Sequence, residues 1–230
     1  MKIIAVDTST MSCSVAVVDE DSLLAEMTIV REQTHSKHLM DMIQTVIEFS
    51  GLAISAVDGF AITRGPGTFT GLRIGISTVK GLAVASGKPI VGISSLDALA
   101  QQCACSGYLI CPLIDARRGE VYFSRYRFQD GILKKEIGDG VLPPAQAVRD
   151  IDEPSLLIGS GALLYQDVLA ETMGKWMYLA LPFQHTIRAS TVAQLSLPRF
   201  EKTDTDDVGT FSPQYIRTSD AQLHFLKKGT

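Results

Sequence analysis

Apolar and polar positions along this chain follow two periods. Lys2-Ile3-Ile4-Ala5-Val6-Asp7 is a continuous apolar run closed by a carboxylate, and Cys13-Ser14-Val15-Ala16-Val17-Val18 is a second. Both have the length and apolar content of strands. A turn at Asp19-Glu20-Asp21 leads into Ser22-Leu23-Leu24-Ala25-Glu26. The same grammar returns about 110 residues later. The run from Tyr108 to Ile114 closes on Asp115, and Glu120 to Tyr126 alternates Val121 and Phe123 against Tyr122 and Ser124. A turn at Asp130-Gly131 then precedes Ile132-Leu133-Lys134. A repeated three-strand meander predicts an α/β protein of two similar lobes, 1–105 and 106–230, made by internal duplication. Mixed sheets flanked by helices are expected, with a cleft between the lobes. The C-terminal segment from Phe211 is expected to pack back on the first lobe.

Helical spacing occupies the intervals. Thr34-His35-Ser36 is a capping sequence for a helix predicted over 37–50, with Leu39, Ile43, Val46 and Ile47 on one face. Met40, Met42 and Phe49 add apolar surface elsewhere, so this helix is expected to contact more than its own core. A second helix is predicted over 72–86, where small residues recur as Gly71/Gly75 and Ser77/Gly81/Ala85. Glycine inside a helix costs about 1 kcal/mol relative to alanine. Close approach of another element offsets that cost, either inside the fold or at a subunit interface. Arg73 sits in the first turn, against the macrodipole, and calls for a nearby carboxylate within the chain or on a partner. Further on, Ser155-Leu156-Leu157-Ile158 reads as a strand entering the turn Gly159-Ser160-Gly161. Helices are expected from about 162 to 173 and over 189–200 despite Pro198.

Composition narrows the function classes. The 230 residues carry a net charge of −4 and no block of Lys or Arg, which argues against this chain clamping nucleic acid by itself. A strand that meets Asp7 so early does not read as a signal peptide, and no apolar run reaches membrane-spanning length, so a cytoplasmic protein is expected. The four cysteines (Cys13, Cys103, Cys105 and Cys111) lack the paired spacing of zinc sites and read as small reduced hydrophobes. His35 and His38, three residues apart, read as a helix-start or interface feature, and no metal site is expected.

The most heavily punctuated stretch is Arg64-Gly65-Pro66-Gly67-Thr68-Phe69-Thr70-Gly71-Leu72-Arg73-Ile74-Gly75, between the strand Gly59-Phe60-Ala61-Ile62 and the second helix. It lacks the Gly-Lys-Ser/Thr ending of a P-loop and the third glycine of the dinucleotide fingerprint. Such a loop holds an anion on its amides or lies tightly against another surface. No H-E-x-x-H or G-x-S-x-G is present to support a peptidase. Asp7-Thr8-Ser9 and Asp115-Ala116-Arg117 each keep an aspartate without a following Asp-x-Gly pattern.

The duplicated strand–aspartate meander resembles the RNase H-like lobes of the actin/hexokinase/Hsp70-like superfamily. Ile4-Ala5-Val6-Asp7-Thr8-Ser9, the glycine loop, Ile114-Asp115-Ala116-Arg117-Arg118-Gly119-Glu120-Val121-Tyr122 and Pro213-Gln214-Tyr215-Ile216-Arg217 are more specifically similar to the TsaB (YeaZ) family. That resemblance implies a non-catalytic protein that binds and activates a catalytic paralogue, TsaD, in forming threonylcarbamoyladenosine beside the tRNA anticodon. It also implies a TsaE-like ATPase as a further partner, ATP used by the complex with no cofactor held by this chain alone, tRNA met only through the complex, and a homodimer in isolation. The paralogue's metal-binding H-x-x-x-H is replaced here by Ser95 and Leu99. No catalytic residue is therefore expected. Leu39, Met42, Ile43, Gly71, Arg73, Gly75 and Gly81 are the expected interface residues. Asp7, Asp115, Arg117 and Arg118 are the expected nucleotide-proximal ones, although the two arginines, with Glu120, read first as solvated turn charges. The competing enzyme reading is a small-molecule kinase or ATPase of the same superfamily, with Asp7 and Asp115 handling Mg²⁺ and phosphate.

Overall fold

The apolar runs that open each half become the central strands of two matching sheets. The computed structural model describes residues 1–31 and 35–217; Thr34 and the last thirteen positions, 218–230, lie outside them. In the first half β1 (Lys2–Asp7), β2 (Ser12–Asp19) and β3 (Ser22–Val30) form the antiparallel meander, and β4 (Gly59–Gly65) and β5 (Ile90–Ser94) add in parallel beside β1. The sheet order is β3-β2-β1-β4-β5. In the second half β6 (Leu109–Arg117), β7 (Glu120–Gln129) and β8 (Ile132–Leu142) repeat the meander, and β9 (Ser155–Ile158) and β10 (Met177–Leu179) repeat the parallel pair. The order is β10-β9-β6-β7-β8. Each strand thus has a counterpart in the other lobe.

Seven α-helices cover these sheets among the described residues. α1 (Leu39–Ser50) and α2 (Phe69–Ser86) cover one face of the first sheet, and α3 (Ser95–Gln101) follows β5. α4 (Pro144–Val148), α5 (Ser160–Leu164) and α6 (Gln166–Met173) belong to the second half. The single helix expected over 162–173 is broken at Tyr165, whose φ of −110° and ψ of 25° leave the helical region. α7 (Ala189–Glu201) keeps Pro198 near its end. No helix among the described residues is long and apolar enough to cross a membrane.

Burial on both faces explains why β1 does not alternate in polarity. Ile4 and Val6 point into a core shared with Leu39, Met42, Ile43, Val46, Ile76 and Val79 of α1 and α2. Ile3 and Ala5 point into a central core that joins α3 and α7 to Ile110, Ile114, Tyr122 and Tyr126 of the second sheet. A third core lies outside the second sheet, around Leu113, Val121, Leu157 and Leu169. α7 comes from the second half of the sequence but packs on β1 and β2. The segment after it follows the first lobe too: Phe211 is buried in the α1–α2 core, and Gln214 N donates to Arg64 O at 2.7 Å.

The stripe of small residues on α2 therefore has two fates. Gly71 and Gly75 lie against Thr8 of the β1–β2 loop, where an added methyl would overlap Thr8 O or Thr8 Oγ1, whereas Gly81 faces open space. Gly71 and Gly75, expected at a subunit interface, are instead packed inside the fold. Substituting them cannot leave an undisturbed monomer. Gly71→Ala is expected to destabilise the isolated chain by about 1–3 kcal/mol, because a backbone carbonyl cannot yield as a side chain can. Gly81→Ala is expected to stabilise it by up to about 1 kcal/mol. Urea denaturation of the two variants checks this; equal effects would contradict the packing described.

Candidate functional site

A cleft separates the lobes where the two meanders face each other. On the first-lobe side stand residues 8–11 between β1 and β2 and the glycine loop entering α2. On the second-lobe side stand the turn 117–119 and the β9–α5 turn at Gly159. The cleft has two compartments. One, of about 210 Å³, is lined by Gly67 to Thr70 and by Asp115, Arg117, Arg118, Tyr122 and Arg217. The other, of about 500 Å³, is more apolar, with Met11, Ile114, Leu163, Leu164 and Pro182 on its walls. Thr68, Asp115 and Arg117 belong to both.

In the first lobe the loop after the strand aspartate is closed off. Asp7 is fully buried. Its Oδ1 accepts from Ser9 N at 3.1 Å, Ser9 Oγ at 2.6 Å and Thr63 Oγ1 at 2.7 Å. Its Oδ2 has no hydrogen-bond partner among the described residues. The glycine loop lies directly over this turn: Thr68 N donates to Ser9 O at 2.7 Å and Thr8 Oγ1 to Gly71 O at 2.8 Å. A Cβ on Gly67 would overlap Ser9 O. The Ser9 amide is thus spent on Asp7, and carbonyls rather than free amides meet the loop above. Asp7, expected near a nucleotide, does not reach the cleft.

The second-lobe counterpart is open. Asp115 Oδ1 accepts from Arg117 N at 2.9 Å and from Tyr165 Oη at 3.4 Å, and Arg117 Nη1 stands 3.5 Å from Asp115 Oδ2. Arg117, Arg118 and Gly119 all have positive φ, of 63°, 56° and 75°, in the turn that joins β6 to β7. Arg117 is largely exposed. Asp115, Arg117 and Arg118 are thus brought together on the cleft wall. Nearby, the glycine turn has lost one amide to an internal partner: Gly159 N donates to His185 Nδ1 at 3.1 Å. His185 Nε2 lies 3.0 Å from Ala180 O, so the ring is set as the Nε2–H tautomer. His185 is buried and 26 residues distant in sequence, with no local motif to announce it. Ser95 and Leu99, at the spacing of the paralogue's metal pair, are buried on α3.

The outer surface of α1 and α2 is the second candidate. Leu39, Met42 and Ile43, expected at a partner interface, are buried in the first-lobe core, with Ile43 alone of the three also reaching the floor of the groove between α1 and α2. The outward side chains are others. Phe49 is 77% exposed and Val84 71%, with Met40 and Ile54 also exposed. Gly81 and its neighbours Ser77 and Ala85 lie on the same exposed side of α2. Arg73 is answered without a carboxylate. Its Nε donates to Tyr215 Oη at 3.0 Å, and its guanidinium lies 5.8 Å from the ring centroids of Phe69 and Tyr215. Those two rings stack at 4.7 Å.

Burial raises the Asp7 carboxyl above the usual carboxylate range, against the lowering effect of its Ser9 and Thr63 hydrogen bonds. A raised folded pKa means that the folded chain holds the proton more tightly than the unfolded one. This contribution to stability is complete below the unfolded value, about 4, and is lost as pH rises through the folded value. Asp7→Asn is expected to fold and to show a flatter fall in stability over that interval. Denaturation curves of both proteins at a series of pH values test this; parallel slopes would refute it.

Comparison with known proteins follows the same lines as the geometry. The family profile described as "TsaD: tRNA N6-adenosine threonylcarbamoyltransferase" matches residues 22–224. The tRNA threonylcarbamoyladenosine biosynthesis protein TsaB of Bacillus subtilis is 29% identical over 99% of both chains. Its Escherichia coli namesake is 32% identical over 75% of this chain and 77% of that one. A solved Pseudomonas aeruginosa structure, described as an uncharacterized protein with similarity to peptidase YeaZ, superposes with a TM-score of 0.82. It is 31% identical and covers 94% of this chain and 99% of that one. A two-lobed actin/hexokinase/Hsp70-like fold and this level of identity lead to one assignment: the chain belongs to the TsaB (YeaZ) family.

Proposed function

We propose that this chain works in tRNA threonylcarbamoyladenosine biosynthesis as a non-catalytic partner that binds and activates a TsaD-type threonylcarbamoyl transferase. The observation that carries this reading is the outward apolar face of α1 and α2. The inner face of the same helices already fills the first-lobe core, while Phe49, Val84, Met40 and, in the turn after α1, Ile54 keep apolar surface exposed. Exposed apolar side chains, among them Met40 and Ile54 on one groove, are characteristic of docking sites. Burying a phenylalanine or valine there contributes about 1.5–3 kcal/mol each.

The closed first-lobe turn supports the non-catalytic half of the proposal. A kinase or ATPase of this fold needs amides free to wrap phosphates beside the strand aspartate, and here Ser9 N and the space above it are occupied. ATP is then spent elsewhere in the complex, by a TsaE-type ATPase. Without its partner the chain pairs with itself through the same face, in the cytoplasm where tRNA is available. Arg117 and Arg118 line the cleft wall, on which a nucleotide held jointly with the partner would lie.

Phe49→Asp and Val84→Asp are expected to weaken pairing with the transferase at least ~100-fold, since each removes a buried apolar group and buries a charge. Both positions are exposed, so thermal stability of the isolated variants should stay near that of the parent. Reconstitution with transferase, ATPase, tRNA, threonylcarbamoyl-adenylate and ATP should then lose modification in these variants and keep it in Asp7→Asn and Asp115→Asn. Loss of modification in either aspartate variant with the complex intact would mean that this chain supplies chemistry.

A further inference from the structure

The groove between α1 and α2 has about 360 Å³ of space and a floor of Met40, Ile43, Ile47, Ile54 and Leu82. Its charged lining is of one sign. Asp41 and Glu48 stand on its α1 edge with Gln44 between them, at the spacing i, i+3, i+7 that places all three along one helix face. Gln44 Nε2 donates to Glu48 Oε1 at 2.9 Å, which holds this row together. Among the described residues no lysine or arginine lines the groove. The basic residues of α2 are drawn to its opposite edge. Lys80 Nζ donates to Gly209 O at 3.2 Å and Phe211 O at 3.0 Å, and Arg73 is engaged by Phe69 and Tyr215. Lys37 and Lys88 flank the two helices in sequence without reaching the groove.

We infer that this groove is built for a protein partner whose apolar face is bordered by lysine or arginine, and that its acidic row weakens pairing with a second copy of this chain. The inference rests on the proposal that α1 and α2 form the docking face. In an isologous dimer the same patch faces itself, so every groove residue enters the contact twice. Four carboxylates would then share one desolvated area with no cation among the groove residues. A partner bordered by cations meets the same row with complementary charge. The apolar floor supplies affinity to either partner, and the charged row discriminates between them.

The test uses the full chain as wild type, Asp41→Asn/Glu48→Gln, Asp41→Lys/Glu48→Lys and Val84→Asp. Self-association is read by sedimentation equilibrium, and affinity for the purified TsaD-type transferase by calorimetry, each at about 0.05 and 0.5 M NaCl, where charge screening differs strongly. The neutral double variant is expected to self-associate ~10-fold more tightly and to bind the transferase ~10-fold more weakly. The lysine variant is expected to lose still more hetero-affinity. Raised salt should strengthen wild-type self-association and weaken the heteropair. Charge variants that move both affinities in one direction, or neither, would overturn the inference. If they are silent while Val84→Asp abolishes the heteropair, only the charge selectivity falls. If Val84→Asp leaves the heteropair intact, the docking face itself is misplaced and the inference falls with it.

Discussion

The close approach of the β1–β2 turn to the glycine loop is the constraint on which the rest of the first lobe depends. Thr8 and Ser9 present carbonyls and a hydroxyl to the loop at Gly67, Gly71 and Gly75, at separations that leave no room for a side chain. Two hydrogen bonds, Thr68 N to Ser9 O and Thr8 Oγ1 to Gly71 O, fasten the contact. This seating fixes where α2 begins and therefore which of its residues look inward. It also leaves the Ser9 amide bonded to Asp7 and the Ser9 carbonyl bonded to the loop, so the seating of α2 and the closing of this turn are one structural fact.

The lobes themselves are held in a fixed relation by contacts that span them. Glu26 on β3 is nearly buried and accepts Ser190 N and Ser190 Oγ at 2.9 and 2.8 Å while pairing with Arg188. Ala189 N donates to Ser14 Oγ at 2.9 Å, so the first turn of α7 is seated on the opposite lobe. On the other side Asp97 of α3 receives Tyr126 Oη at 2.5 Å and Lys135 Nζ at 2.7 Å, and Ser94 Oγ donates to Asp139 at 3.1 Å. Breaking a charge-assisted hydrogen bond that is partly buried costs about 1.5–3 kcal/mol. Closure of the cleft would have to break several together. A cleft pinned in this way resists closing of one lobe on the other.

Much of this architecture was legible in the sequence. The repeated run-aspartate-turn pattern specified both meanders, because period and turn residues are local properties. The glycine loop was recognisable as an anion-holding turn or a tight contact, and only the seating of Thr8 and Ser9 against it decides for the contact. The facing of α1 was not, since its apolar residues cover more than one side. Met42 and Met40 are two positions apart, and only the seating of the helix on β2 and β3 decides that Met42 goes inward and Met40 outward. His185 was unreadable because its partner, Gly159, lies in another element. Arg73 pointed correctly to an unmet electrostatic need, but Tyr215 answered it from 142 residues away, with aromatic faces in place of a carboxylate.

The same tertiary seating that hides Leu39, Met42 and Ile43 also sorts the charges. With those three inward, the α1 helix must turn Asp41, Gln44 and Glu48 outward, because 3.6 residues per turn leave no other side for them. With Gly71 and Gly75 pressed on Thr8, α2 must turn Gly81 and Val84 outward, and the segment after Gly209 draws Lys80 along its far edge. An apolar groove with one acidic border is therefore a consequence of how the two helices sit on their own sheet. Inside the lobe, packing is satisfied on one face of each helix. Outside it, the exposed apolar surface provides attraction to any similar face, while the acidic row of Asp41 and Glu48 makes that attraction conditional on the charge of whatever approaches.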